Sequence, residues 1–272
     1  MNIHGTNVEF IVGELNELEH FLPLVKRSRA VIHTASRSTP GSSAGQAITE
    51  MQNNLRPTLA LLQALQLHPE TNLLYLSSGG SLYATAPDEF ATETSPISPR
   101  SYHGAGKIAA EHFIGAWCCQ YGGCATVLRP SNIYGPCQKE HVGFGIVPTG
   151  LGKIRSEEVL PVWGDGSAIR DYLYIDDFVA LCVSILARPM RGGSLLLNAS
   201  SGVGVSLNEL FTIMEAVTGQ SLKRSYDIER AVDAPRIVMA SALARELCGW
   251  SSTTSLHEGI QNTWAWLNSI QP

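Results

Sequence analysis

Residues with hydroxyl, imidazole, ammonium and guanidinium groups recur in short blocks along this chain. Ser77-Ser78-Gly79-Gly80-Ser81-Leu82-Tyr83 follows an apolar run. Hydroxyls and glycines directly after a buried strand give a ligand donors and room to approach, although a helix cap or an ordinary turn uses the same residues. Ser101-Tyr102-His103-Gly104-Ala105-Gly106-Lys107 then opens a helix. Residues four apart on a helix lie about 40° apart around its axis, and residues five apart about 140°. His103 therefore faces with Lys107, and Tyr102 does not. An imidazole beside an ammonium can do proton transfer: its unperturbed pKa is about 6.5, and the positive neighbour favours its neutral form. Downstream stand Arg129-Pro130-Ser131-Asn132-Ile133-Tyr134-Gly135-Pro136, the stretch from Trp163 to Tyr172, Ile175-Asp176-Asp177-Phe178, and Arg230-Ala231-Val232-Asp233-Ala234-Pro235. Arg170 and Arg230, far apart in sequence, suit a diphosphate if they converge, because guanidinium forks match phosphate oxygens. The competing readings are an ion pair of Arg170 with Asp171 or Asp177, and a surface pair for Arg230.

The elements that must position these residues alternate. Asn7–Val12 reads as a strand and Glu17–Lys26 as a helix, with Leu18, Phe21, Leu22 and Val25 at helical spacing. Ala30–His33 reads as a strand ending in Thr34, Ala35 and Ser36. A longer helix follows over about 45–67, then a strand over Asn72–Ser77, apolar enough for burial on both faces. The helix from Tyr102 to Tyr121 precedes a strand over Cys124–Arg129. This order predicts right-handed βαβ units and a parallel sheet. From about Gly135 the pattern loosens. Leu195–Asn198 reads as one more strand, Ser206 with Glu209 as a capping box opening a helix, and Leu256–Leu267 as a last helix. The expected division is 1–134 as the core and 135–272 mainly as a lobe, with some segments returning to the core.

Composition narrows the classes. The 272 residues are 44% hydrophobic with a formal net charge of −5, and no basic run offers a nucleic-acid surface. No apolar stretch approaches the roughly 20 residues that span a bilayer, and the first residues lack the order of a signal peptide. The six cysteines match no zinc spacing and read as reduced thiols of a cytoplasmic protein. No metal site is expected.

In their order, these blocks resemble the extended short-chain dehydrogenases, and within them the NAD-dependent epimerase/dehydratase family of UDP-glucose 4-epimerase type. The likeness runs from about residue 7 to 267. It implies an α/β, Rossmann-like, doubly wound parallel sheet with a small C-terminal substrate-binding lobe. It implies NAD as cofactor, a UDP-sugar as substrate, and transient oxidation at sugar C4 followed by return of hydrogen to the other face. By the same resemblance Ser81 bonds the reacting hydroxyl, and Lys107 holds the nicotinamide ribose and lowers the pKa of the base. Asn132, Arg170 and Arg230 contact the diphosphate, and Asp233 lies near the nucleoside sugar. Ala35, Ser36 and Ser77 line the cofactor, Glu14 and Leu15 lie beside the adenine, and Asn54 shapes the site, an exposed helical Asn being the plainer reading. A homodimer built on the helices of this region is implied too, with Ile108, Phe113, Ile114 and Trp117 as contacts or as core.

Two departures from the family pattern stand out. No Gly-x-x-Gly-x-x-Gly turn, whose amides cradle a pyrophosphate, precedes Val8–Val12. The first two strands of a Rossmann sheet are then missing, which predicts a sheet without its middle, weak NAD binding and poor stability. A fragment or mis-assigned start is the favoured expectation; completion by another chain and a degenerate protein are the alternatives. Second, His103 takes the place of the tyrosine in the family's Tyr-x-x-x-Lys pair. It acts as a shorter base or marks lost catalysis. A minor departure is Ala84, where the family usually has glycine. No acidic pair flanks Ser81, which favours an epimerase or simple reductase over a 4,6-dehydratase. The alternative to an active enzyme is an impaired fragment or pseudoenzyme that binds a sugar nucleotide or pairs with an intact relative.

Overall fold

The computed structural model describes residues 7–80, 82–84, 89–140, 145–188, 192–230 and 234–270. Ser81 and Asp233 lie outside them. Among the described residues the main sheet has four parallel strands, β1 (Ala30–His33), β2 (Asn72–Leu76), β3 (Cys124–Pro130) and β7 (Gly193–Ala199), in the order β1-β2-β3-β7. Side chains alternate between its faces, as strand geometry requires. Leu73, Tyr75, Ala125 and Val127 pack beneath α1 (Leu18–Val25), α3 (Arg56–Gln66) and α4 (Tyr102–Tyr121). Leu74, Leu128 and Leu197 pack on α6 (Ile175–Ala187), α8 (Ala242–Cys248) and Trp250. Both faces are covered, so the sheet is doubly wound and its strands are mostly apolar.

The sheet has not lost its middle. In the order 3-2-1-4-5-6 the first three strands lie together on one side, so what stands here is an uninterrupted block with β1 at its edge. Ile32 on that edge is 47% exposed. Nor is Asn7–Val12 a strand: the segment runs irregularly, with Phe10 74% and Val12 85% exposed. Alternating apolar residues become a strand only where a neighbour supplies the ladder, and no ladder joins them to β1 among the described residues. The segment is tied down by exposed ion pairs instead, Glu9 to Arg27 at 2.6 Å and Glu14 to Arg37 at 3.9 Å, each worth little in water.

A second core gathers β4 (Asn132–Tyr134), β5 (Leu160–Trp163), β6 (Ile169–Tyr174), α5 (Ile146–Ser156), α7 (Leu207–Thr218) and α9 (Leu256–Ser269). β6 pairs with β4 and β10 (Arg236–Ile237) in parallel and with β8 (Gly204–Ser206) in antiparallel fashion, while β5 pairs with β9 (Arg224–Asp227). The stretch after 135 is thus richer in strands than its sequence suggests. The Ser206–Glu209 capping box forms as expected at the start of α7. No described helix is long and apolar enough to cross a membrane.

Candidate active site

Three segments meet at the carboxyl ends of β1 and β2: the start of α4, the loop after β1, and the helical stretch before α3. Ser101 caps α4, its Oγ accepting from Gly104 N at 3.1 Å, and Ser43 Oγ accepts from His103 N at 3.1 Å. His103 and Lys107 are both buried, whereas Tyr102 is 47% exposed. The helical spacing therefore resolves the pair in favour of His103.

The stretch before α3 does not continue as a single α-helix. A short turn, α2 (Ala47–Glu50), leads into a π-helical turn over Met51–Leu55. A π-turn adds one residue to an α-helical turn. Glu50 and Asn54 there point together toward the loop after β1. Asn54 Nδ2 donates to Glu50 Oε1 and to Ser38 Oγ, each at 2.8 Å, and its Oδ1 accepts from Arg37 N at 2.7 Å. Ser38 Oγ bonds Glu50 and sits 3.0 Å from His103 Nδ1. Glu50 is buried with Oε1 3.8 Å from the same nitrogen. Gly106 admits it: a Cβ there would lie 3.1 Å from Glu50 Oε1. Asn54 is therefore a half-buried link of the site, not an exposed helical residue. Ser38 and Glu50 escaped the sequence reading. The signal was Glu50 and Asn54 four apart in a helix, but without a partner loop that spacing also fits an ordinary polar face.

Lys107 Nζ donates to Leu76 O at 2.8 Å and lies 5.1 Å from the Tyr75 ring centroid. Burial brings its pKa down to about 8, against the opposing pull of Glu50 and Glu111. Burial, then Lys107, lowers the pKa of His103, and Glu50 opposes. The N-terminus of α4 adds to this, since a helix start disfavours positive charge. The ring is therefore neutral where an ordinary histidine would begin to protonate.

His33, at the end of β1, has Nε2 2.9 Å from Thr58 Oγ1. Burial, then Lys107, brings its pKa down to about 4. Its folded pKa lies below its unfolded one, so the stability it permits is complete above about 6.5 and is lost as pH falls toward about 4. Each pH unit in that window costs up to about 1.4 kcal/mol. Urea denaturation across this range should show a shallower loss in His33→Gln than in the unchanged chain; parallel curves would rule this out.

The other residues singled out in the sequence divide. Ala35 and Ser36 are exposed just past β1, and Ser36 Oγ donates to Ser38 O at 3.4 Å. Ser77 is turned inward: its hydroxyl donates to Glu111, which holds Arg129. Glu14 and Leu15 lie on the irregular segment ahead of α1, where Glu14 accepts from Asn16 Nδ2 at 3.0 Å. Gly79 threads a gap that only glycine fits, since a Cβ would collide with Met239 and lie 2.9 Å from Pro130 O. That close passage sets Gly80 beside the Asn132 side chain, 3.7 Å from Oδ1 to where a Cβ would stand, while Asn132 Nδ2 donates to Asp171 O at 2.9 Å. The Asp171 carboxylate accepts from Ser201 and Gly202, and that of Asp177 from Ser252, Thr253 and Thr254. Arg170, on β6, donates to Ile169 O at 2.9 Å. Arg230 lies over the Trp163 ring at 4.1 Å, and its Nη1 is 3.8 Å from a Cβ placed on Gly41. It thus reaches the loop that carries Ser38 and Ser43. Of the four proposed dimer contacts, Ile114 and Trp117 are core residues, and Phe113 is 49% exposed.

Residues 2–197 match the NAD dependent epimerase/dehydratase family. The chain is 30% identical over 237 residues to the UDP-glucose 4-epimerase of Mycolicibacterium smegmatis, covering 87% of this chain and 75% of that one. Among solved structures it is similar to the UDP-glucose 4-epimerase of Thermotoga maritima with UDP-glucose, at a TM-score of 0.88 and 26% identity over 94% of this chain and 83% of that one. It is similar also to the Thermus thermophilus UDP-glucose 4-epimerase in complex with NAD, with a TM-score of 0.88 and 25% identity over 95% and 84%. The parallel strand order and these matches agree: the chain belongs to the NAD dependent epimerase/dehydratase family.

Proposed function

We propose that this chain epimerises a UDP-sugar at C4 with NAD, His103 serving as the base. The observation that carries the reading is the burial of neutral-leaning His103 one helical turn before Lys107, against the loop after β1 that Arg230 also reaches. The His103 imidazole takes the proton of the C4 hydroxyl and returns it after the sugar turns over. Lys107, as an ammonium, keeps that imidazole neutral in the resting site and orients the ribose. The Arg170 and Arg230 guanidinium groups hold the diphosphate, with Arg230 steadied by stacking on Trp163. Asn132 joins them from the start of β4. By family resemblance Ser81 bonds the reacting hydroxyl and Asp233 the nucleoside sugar.

The residues present fit the nicotinamide end of the cofactor. Lys107 spends one N–H on Leu76 O and has two more to offer, and Ala35 and Ser36 lie exposed at the strand end beside it. When bound, NAD supplies the acceptor for the hydrogen on C4 and gives it back. The pyrophosphate end of such a cofactor is ordinarily held by a glycine-rich strand-to-helix turn, and among the described residues none precedes β1. A cytoplasmic homodimer with Phe113 at its contact completes the reading.

The test is conversion of UDP-glucose to UDP-galactose by the purified chain over a rising series of NAD concentrations. Conversion that saturates at high NAD is expected. UDP-glucose binding in calorimetry with no conversion at any NAD concentration would overturn it in favour of a non-catalytic nucleotide-sugar binder.

A further inference from the structure

We propose that Ser38 and Glu50 are positioning residues that fix His103 in the Nδ1–H tautomer and so leave Nε2 as the proton acceptor. The inference rests on the epimerase reading for its catalytic use, but not for its geometry. It follows from counting donors around one hydroxyl. Ser38 Oγ has one hydrogen and two lone pairs. Three groups meet it: Glu50, Asn54 Nδ2 at 2.8 Å, and His103 Nδ1 at 3.0 Å. Asn54 Nδ2 only donates, so it takes one lone pair. The Glu50 carboxylate only accepts, so it takes the hydrogen. The remaining lone pair faces His103 Nδ1, which must then carry a hydrogen and donate it.

Every other member of the cluster is satisfied by the same assignment. Asn54 places its two N–H groups on Ser38 and Glu50 and its carbonyl on Arg37 N. Such full satisfaction in a half-buried site favours one arrangement over its alternatives. The reverse reading makes Ser38 a nucleophile activated by His103, and it fails on the same count. The serine hydrogen is already committed to the carboxylate, which leaves none for the ring.

The arrangement also matches the chemistry at the ring. When Nε2 gains the sugar proton, the imidazolium has donors on both nitrogens. Its Nδ1–H stays on Ser38, and the Glu50 carboxylate behind Ser38 faces the new positive charge at 3.8 Å. Lys107 on the same helix opposes that charge, and Glu50 on α2 offsets it. One proton moves, from the sugar oxygen to Nε2, and it moves back in the second half of the cycle.

The full chain, labelled with ¹⁵N at its eight histidines, is read by long-range ¹H–¹⁵N correlation without nucleotide or sugar. His103→Gln identifies the His103 signal. The expected result is the Nδ1–H pattern for His103, kept in Ser38→Thr, which retains a hydroxyl, and lost toward Nε2–H in Ser38→Ala. A turnover assay on Ser38→Ala should show kcat reduced about tenfold or more with KM little changed. An Nε2–H pattern in the unchanged chain overturns the inference, as does an unaltered tautomer in Ser38→Ala with the other histidine signals in place. If Ser38→Ala does not fold, the tautomer of the unchanged chain decides alone. A chain that shows the Nδ1–H pattern yet converts no UDP-glucose refutes the epimerase reading and leaves the tautomer assignment standing.

Discussion

His103→Gln slows the interconversion of UDP-glucose and UDP-galactose by about a hundred- to ten-thousand-fold, the usual worth of a general base, while the affinity for UDP-glucose stays near that of the unchanged chain. Glutamine keeps polarity and approximate volume at the start of α4 but cannot take a proton. The pH profile of the unchanged chain separates His103 from Lys107. As the proposed base, His103 must be neutral, and its lowered pKa keeps it neutral down to below the ordinary histidine range. Activity therefore holds through neutrality and falls on the acid side only below about 6.5. In the proposed mechanism Lys107 acts as the ammonium, so its pKa of about 8 puts the alkaline limb there, well below that of an exposed lysine. The charged groups set against these two are Glu50, Glu111 and each other. Steady-state kcat/KM across pH 5 to 10, at about saturating NAD, checks both limbs. Equal rates in His103→Gln and the unchanged chain would remove His103 from the mechanism.

Arg129→Met lowers the stability of the fold by about 3–5 kcal/mol, as expected when one partner of a buried ion pair is removed. Arg129 is 2% exposed, donates to Glu111 through Nε at 3.0 Å and Nη2 at 2.5 Å, and reaches Tyr83 OH through Nη1 at 3.0 Å. Tyr83 OH passes the chain on to Asn198 Oδ1 at 2.6 Å. Methionine leaves the Glu111 carboxylate with the Ser77 hydroxyl but without its ion-pair partner. The double variant Arg129→Met with Glu111→Met removes both charges and recovers most of the loss, because an apolar pair of similar volume avoids the desolvation penalty. Urea midpoints of the two single variants and the double variant measure the coupling. Additive losses would show that the pair contributes nothing jointly.

This network also explains which parts of the site were legible in the sequence. A serine at a strand end invites a ligand-facing reading, and Ser77 received one. Its hydroxyl is instead spent on Glu111, a residue on α4 far along the chain that no local pattern connects to it. His103 and Lys107 were legible because helix geometry alone pairs residues four apart, and both are buried together. Ser38 and Glu50 were not, since their partnership exists only once the loop after β1 folds against α2. The same logic holds for the fold. β2 and β3 read correctly because strands buried on both faces are mostly apolar runs. Asn7–Val12 has the composition of a strand, and composition cannot report whether a neighbouring strand is there to pair with it.

The π-helical turn at Met51–Leu55 has a genetic consequence. Deleting one exposed residue in it, such as Gln52, would restore plain α-helical winding. The bulge already absorbs one extra residue, so the segments on either side would keep their facing, and Glu50 would stay turned toward Ser38 and His103. The same deletion inside α3 would turn everything ahead of it by about 100°, one residue's share of a helical turn. A lost codon is thus tolerated in this one stretch and disruptive in the plain helix that follows it.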